Sequence, residues 1–250
     1  MTRRLAIPMG LVALLTVLAA DDCRAQQFNS DNYWTAPHGS ATIVATAGQH
    51  YSALLNVFAL FPAWEFNVGA TLFKEDEQAN TLNHFAPTFF VKRTLYENQA
   101  KTGGWSATLG TGVSPSYLQA GTVTDPFTSY WFSVAASFPF FDNTLSLDLL
   151  PGTLVNMNYG SSSETAWGFT YSSRLAIYKV IPHSAIVGEI FGTEGEAFSK
   201  PQYRAGVRWE SSRVVAALSY GAAVDGTQGA GVELGVIIVT PPFLGFGLKK

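Results

Sequence analysis

Cysteine is nearly absent from this chain: the single copy, Cys23, sits in a leader-like start, so from residue 26 onward no disulfide can hold the fold. Charge is scarce too. Only 13% of residues are charged, about half the roughly 25% of an ordinary soluble domain. The formal net charge of -3 is too small to draw nucleic acid as a partner. Past the start, no stretch supplies the ~20 uninterrupted apolar residues of a membrane-spanning helix. Glycine-rich phosphate loops, zinc spacings and calcium loops are missing, so neither a cofactor nor a metal is expected. What remains is 47% hydrophobic, 14% aromatic and rich in glycine, with 23 copies. Many aromatics, few charges and no spanning helix together point to a β-barrel that crosses a membrane with strands.

The clearest positive signal is a two-residue alternation. In Tyr203 to Glu210 the residues Tyr203, Ala205, Val207 and Trp209 share one face, and Arg204, Gly206, Arg208 and Glu210 the other. Trp167, Phe169, Tyr171, Leu175 and Ile177 repeat the pattern against Gly168, Thr170, Ser172 and Arg174. A soluble lipocalin-like barrel or sandwich would turn its apolar face inward and set charges outside. Here the second face is Gly, Ser, Thr and Asn, with too few charges to meet bulk water, so the apolar face is assigned to lipid.

The first residues suit export. Met1-Thr2-Arg3-Arg4 is basic, Leu5 to Ala20 is apolar, and Cys23-Arg24-Ala25 offers small residues where a signal peptidase reads, so residues 1–25 are taken as a removed signal peptide. Pro8, Gly10 and the pair Asp21-Asp22 argue against a retained helix. Lipidation at Cys23 is disfavoured by Asp22, which stands where a small residue is wanted. Residues 26–39 read as a polar periplasmic lead-in, 40–243 as the barrel and 244–250 as a short tail.

About twelve strands are expected, at 40–48, 51–60, 64–73, 82–95, 104–113, 127–138, 143–157, 165–179, 184–192, 201–210, 213–223 and 229–240. The links alternate between tight turns and longer polar loops, as periplasmic turns and outer loops do in an all-β, antiparallel up-and-down transmembrane barrel. Two links break the rhythm: Glu97 to Gly103 is long for a turn, and Gln49-His50 is short for an outer loop. Trp64, Tyr130, Trp167, Tyr203, Trp209 and Tyr220 fall near strand ends, where interfacial aromatics belong.

With faces assigned this way, Glu65, Lys92, Asp148, Arg174, Glu189, Arg204, Arg208 and Glu233 point into the lumen. They would either form a solute-selecting constriction or pair off as a structural ion network that fills a narrow barrel. The second reading is favoured because a lumen of this strand number is narrow. Phe58, Phe90, Trp131 and Tyr178 are expected to narrow it further and to offer a path for an apolar solute. Pro151-Gly152 breaks the seventh strand, which suggests a bulge or bend and, less favoured, a lateral opening. His183-Ser184 is the only pair with His directly before Ser, and it lies in an expected periplasmic tight turn beside Pro182; His38, His50 and His84 have no serine or carboxylate at a diagnostic spacing, so no enzyme is expected.

In its closing quarter, from Pro201-Gln202-Tyr203-Arg204-Ala205-Gly206-Val207-Arg208-Trp209 through Gly229-Ala230-Gly231-Val232-Glu233-Leu234-Gly235-Val236, the chain resembles the proteobacterial outer-membrane barrels of the MetA-pathway phenol degradation and transporter family. The resemblance implies a barrel associated with uptake of small, often aromatic, compounds, and it carries over no functional residue. The end differs from many barrels: Phe243 and Phe246 are the candidates for a closing aromatic, but Pro241-Pro242 precedes them and Leu248-Lys249-Lys250 follows. The expectation is a passive outer-membrane channel or transporter for small molecules, hydrophobic or aromatic ones among them. A structural or surface-interaction barrel with a plugged lumen is the alternative. Expected partners are outer-membrane lipid, a small-molecule solute and the barrel assembly machinery.

Overall fold

The computed structural model describes residues 31–74, 84–113, 126–159, 164–226 and 229–244. The signal-peptide assignment, the start of the lead-in, Phe246 and the rest of the tail lie outside the described residues. Thirteen strands run through them: β1 Ala41–Gly48, β2 Tyr51–Phe61, β3 Trp64–Phe73, β4 His84–Glu97, β5 Gly104–Gly112, β6 Ser129–Phe140, β7 Leu145–Leu149, β8 Gly152–Tyr159, β9 Glu164–Tyr178, β10 Ser184–Gly195, β11 Ser199–Glu210, β12 Val214–Ala223 and β13 Gly231–Val239. Each is antiparallel to its neighbours, and β1 pairs with both β2 and β13, so the sheet closes on itself.

β7 and β8 are two halves of one staircase step, each lying between β6 and β9, and the wall therefore has twelve positions. The break between them is not the bulge that Pro151-Gly152 suggests. Ser133↔Gly152 and Ser137↔Asp148 keep one register along β6, and Gly152↔Thr170 and Asp148↔Arg174 keep one along β9. No residue has been inserted. Leu150 N donates to Ser172 O at 2.9 Å, Ser172 N to Leu150 O at 3.1 Å and Val134 N to Pro151 O at 2.9 Å. Only the bond that the proline nitrogen cannot donate is lost, and the wall has no lateral opening there.

The alternation in the sequence becomes two surfaces. Outward stand Leu54, Val68, Phe85, Leu109, Phe132 and Leu234, all exposed, and inward stand Asn67, Thr88, Ser106, Ser133, Thr170 and Ser172, all buried. An apolar belt outside a polar interior is what a bilayer requires of a closed sheet, whose backbone bonds are all satisfied between strands. No helix among the described residues is long and apolar enough to cross a membrane. Trp64, Trp105 and Trp209 ring one end of the belt, with Arg93 over the Trp64 ring at 4.9 Å, and Tyr130 and Trp167 mark the other. Phe58 departs from the expected inward set. It is paired with Phe66 on the outer face, because the register of β2 and β3 sets Val57 and Asn67 inward beside it.

One end of the barrel carries the tight turns, at 62–63, 141–144, 179–183 and 211–213, where Ala63, Phe141, Asp142, Asn143, Lys179 and His183 take left-handed backbone. The segments just before β1 and just after β13 meet here. Ala41 N donates to Thr240 Oγ1 at 2.9 Å, Thr240 N to Ala41 O at 2.8 Å, and Phe243 N and Leu244 N both to Gly39 O at 2.8 Å. This "turn end" and the opposite "loop end" frame the lumen.

Candidate functional site

Acidic and basic side chains alternate along one cross-strand row of the inner wall. The register aligns Ser137, Asp148, Arg174, Glu189 and Arg204 on successive strands, with Gly221 and Gly231 next in line. Arg174, 1% exposed, clasps Asp148 Oδ2 through Nε at 3.0 Å and Nη2 at 2.7 Å, and Ser137 Oγ donates to the other carboxylate oxygen. Arg204 bridges two acids: Nη1 reaches Glu189 Oε1 at 2.9 Å, while Nη2 and Nε reach Glu233 at 3.0 and 2.5 Å. The Tyr51 hydroxyl donates to Glu233, as does Ser219 Oγ at 3.1 Å. Arg208 pairs with Glu210 and donates from Nη2 to the Tyr178 hydroxyl at 2.8 Å, with its guanidinium over that ring at 5.8 Å. Buried charges are tolerable only when paired and hydrogen-bonded in this way.

The lead-in occupies the lumen at the turn end. Its first described residues fold inside the barrel against β3 to β6. Lys92 Nζ binds Asp31 Oδ1 at 2.8 Å and donates to Trp34 O at 2.6 Å; Glu65 Oε1 accepts from Ala36 N at 2.5 Å. Thr94 Oγ1 donates to Tyr33 O at 2.9 Å and Ser106 Oγ to Asn32 O at 3.3 Å. The 98–103 turn, long for its position, supplies the last anchor: its Lys101 carbonyl accepts from the Tyr33 hydroxyl at 2.8 Å. Gly104 makes room for that ring, since a Cβ there would stand 2.7 Å from Tyr33 Cδ2. Residues 31–39 thus form an internal strap, and Glu65 and Lys92 hold it.

Above the strap lies a chamber of about 180 Å³, far more than the ~10–15 Å³ that one water needs. Trp34 of the strap lines it at one end and Tyr51 and Val113 at the other, with Val44, Leu55 and Ile237 along the sides. Tyr51, Phe73, Ala86 and Val113 pack together as an apolar cluster inside the loop end.

Solved structures with this architecture include two outer-membrane proteins. An outer-membrane channel from Pseudomonas putida F1 aligns with 83% of this chain and 98% of its own at 13% identity and TM-score 0.52. The KdgM porin, solved with disordered oligogalacturonate, aligns with 80% of this chain and 98% of its own at 10% identity and TM-score 0.55. The fold is that of an outer-membrane β-barrel. Its apolar belt puts it in that membrane. LpxR from Salmonella typhimurium aligns at 9% identity with TM-score 0.42, too low to carry an argument about chemistry in either direction. No protein-family model and no curated protein matches the chain.

All eight charges expected in the lumen are buried on the inner wall of this outer-membrane barrel. They do not form one site. Glu65 and Lys92 serve the strap; Asp148, Arg174, Glu189, Arg204 and Glu233 form the paired belt; Arg208 stands apart with Glu210 and Tyr178. Only Glu65, Lys92, Arg204 and Glu233 reach the chamber wall. Tyr51 and Asp31 are contributors that sequence reasoning missed. Tyr51 opens a strand where alternation is weak, and Asp31 lies before the first strand, where no periodicity exists to read. Ser184, half of the His–Ser pair, donates its hydroxyl to Ile181 O at 2.9 Å and so closes its own turn.

Proposed function

We propose that the protein is a passive outer-membrane channel for small molecules, and that the solutes it admits are uncharged and partly apolar. One observation carries this reading: in the closed wall around the chamber Lys92 is held by Asp31, Arg204 by Glu189 and Glu233, and Glu65 by Ala36 N, which leaves Val44, Leu55, Phe90, Trp131 and Ile237, beside hydroxyls such as Thr46, Thr88 and Ser133, to meet the solute. A path selective for ions would keep an unmatched ring of one sign. With both cations held by acids, and apolar and aromatic side chains beside them, the chamber favours neutral molecules over the acidic sugar polymer named with the KdgM porin. The resemblance to phenol-degradation transporters, carried by Pro201 to Trp209 and Gly229 to Val236, agrees with small aromatic solutes.

The strap favours a second reading, a barrel plugged at its periplasmic mouth. Liposome swelling separates the two. Refolded protein in liposomes should admit small neutral solutes faster than charged ones of equal size. No uptake of either kind, with planar bilayers silent as well, would support the plug and sink the channel.

A further inference from the structure

The inner wall has two ways of treating a buried polar atom. On β7, β9, β10, β11 and β13 the charged groups are matched with opposite charges. On β1, β3, β5 and β6 four chamber-lining side chains keep a polar atom with no hydrogen-bond partner among the described residues: Thr42 Oγ1, Asn67 Nδ2, Thr108 Oγ1 and Trp131 Nε1. These residues are deeply buried, Thr42 and Trp131 at 6% and Asn67 and Thr108 at 3% exposure. A protein interior seldom leaves such atoms unmet, so each one is a donor or acceptor with capacity to spare.

Two of the four belong to one shelf. The register runs Asn67↔Phe90↔Gly110↔Trp131 across β3, β4, β5 and β6, all inward. The Phe90 and Trp131 rings lie 5.2 Å apart at 53°. They meet over Gly110 because that residue has no side chain: a Cβ there would stand 2.3 Å from Trp131 Cζ2 and 2.6 Å from Phe90 Cβ. The outcome is an apolar aromatic surface with an N–H at each end, Asn67 Nδ2 and Trp131 Nε1. An indole N–H can only donate.

We propose that this shelf is a binding site for an uncharged, mostly apolar molecule that presents hydrogen-bond acceptors, such as a ketone, ester, ether or nitro oxygen. The inference deepens the channel reading by naming the chemistry of its solute. Anions find no spare cation here, since Arg204 is held by Glu189 and Glu233 and Lys92 by Asp31 and Trp34 O. A polyol would press hydroxyls against Phe90, Leu55 and Ile237, where only the flanking Thr88, Thr108 and Ser133 could meet them. Both nitrogens are sealed from bulk water, so no hydration has to be stripped from them when an acceptor arrives.

The test uses full-length protein refolded in detergent micelles with 15N-labelled indoles. The Trp131 Nε1–H resonance is assigned by its loss in Trp131→Phe. Acetophenone should move it saturably, whereas ethylbenzene of similar size and benzoate should not. Trp105, Trp167 and Trp209 face outward and report partition into the micelle, so they should drift without saturating. In Asn67→Leu, the affinity of 1,4-diacetylbenzene, which carries an acceptor at each end, should fall about fivefold as read at Trp131, the effect of one ordinary hydrogen bond, while that of acetophenone should not change. Equal binding of ethylbenzene, or a saturable shift with benzoate, overturns the proposed chemistry. An unmoved Trp131 resonance in protein that still passes solute overturns the site and leaves the channel standing. A saturable shift in protein that passes nothing supports the site and overturns the channel.

Discussion

The two sides of this lumen are built from different residues to opposite ends. From β7 to β13 the inner face is mostly a lattice in which Arg174 holds Asp148 and Arg204 holds Glu189 and Glu233, although Thr193 Oγ1 and Arg208 Nη1 are unmet there too among the described residues. From β3 to β6 it is aromatic, small and amide-bearing, it holds the strap, and its polar atoms at Asn67, Thr108 and Trp131 are unspent. A buried polar group that is fully satisfied fixes one arrangement and has nothing left to offer a visitor. The difference teaches that the conspicuous charges of the sequence are the stiff side of the barrel, and that recognition is left to its quieter side.

Arg204→Ala is the strongest way to break this contrast. It strands two buried carboxylates, and removal of one partner from such a group costs about 3–5 kcal/mol. Urea unfolding of protein refolded in micelles should show that loss, and a cost near that of Asn67→Ala would erase the distinction between the two walls. Lys92→Met comes next: it removes the clasp on Asp31 and the Trp34 carbonyl, hydrogen bonds to a charge worth about 1.5–3 kcal/mol. If the strap narrows the mouth, single-channel conductance should rise in this variant and rise more when residues 31–38 are deleted; unchanged conductance in both would leave the strap as a structural brace. Gly110→Val forces a side chain into Trp131 and Phe90, an overpacking cost of about 1–3 kcal/mol. It should spoil acetophenone binding at Trp131 while leaving the charge lattice and the barrel fold in place, as far-ultraviolet circular dichroism would report. Ser184→Ala should do least. It loses one turn hydrogen bond, about 1 kcal/mol or less, and lipid hydrolysis assays should read the same before and after.

Much of the wall was legible because period-two alternation is a local signal that survives translation into structure. Trp64 to Leu72, Tyr130 to Phe138 and Val232 to Ile238 face outward as the alternation requires, and the strands begin and end within a few residues of the expected positions. Phe58 was misplaced because register, set by the Val57↔Asn67 pair, outranks the character of a single side chain. Pro151 was read as a bulge because a proline in a strand usually needs one, whereas here both neighbours keep register and a single bond is given up. The charges were placed on the correct face, but their division into strap anchors and lattice was not visible. That division depends on which strands a closed sheet makes adjacent and on a segment, Asp31 to Gly39, that carries no periodicity at all. The shelf was half visible: Phe90 and Trp131 were expected inside, yet only the register shows that a glycine lies between them.

The seam where β1 meets β13 sets a schedule for how this molecule can be made. Its bond from Ala41 to Thr240 joins residues 199 apart in sequence, and contacts of such separation form late because so much chain must be ordered first. Until that seam zips, the first strand has one neighbour and an open edge. Residues 31–39 must therefore find Lys92, Thr94 and Ser106 while the sheet is still a curved ribbon, or be threaded into a barrel already shut. Refolding followed by two probes, one on the strap and one across the seam, would reveal which happens first.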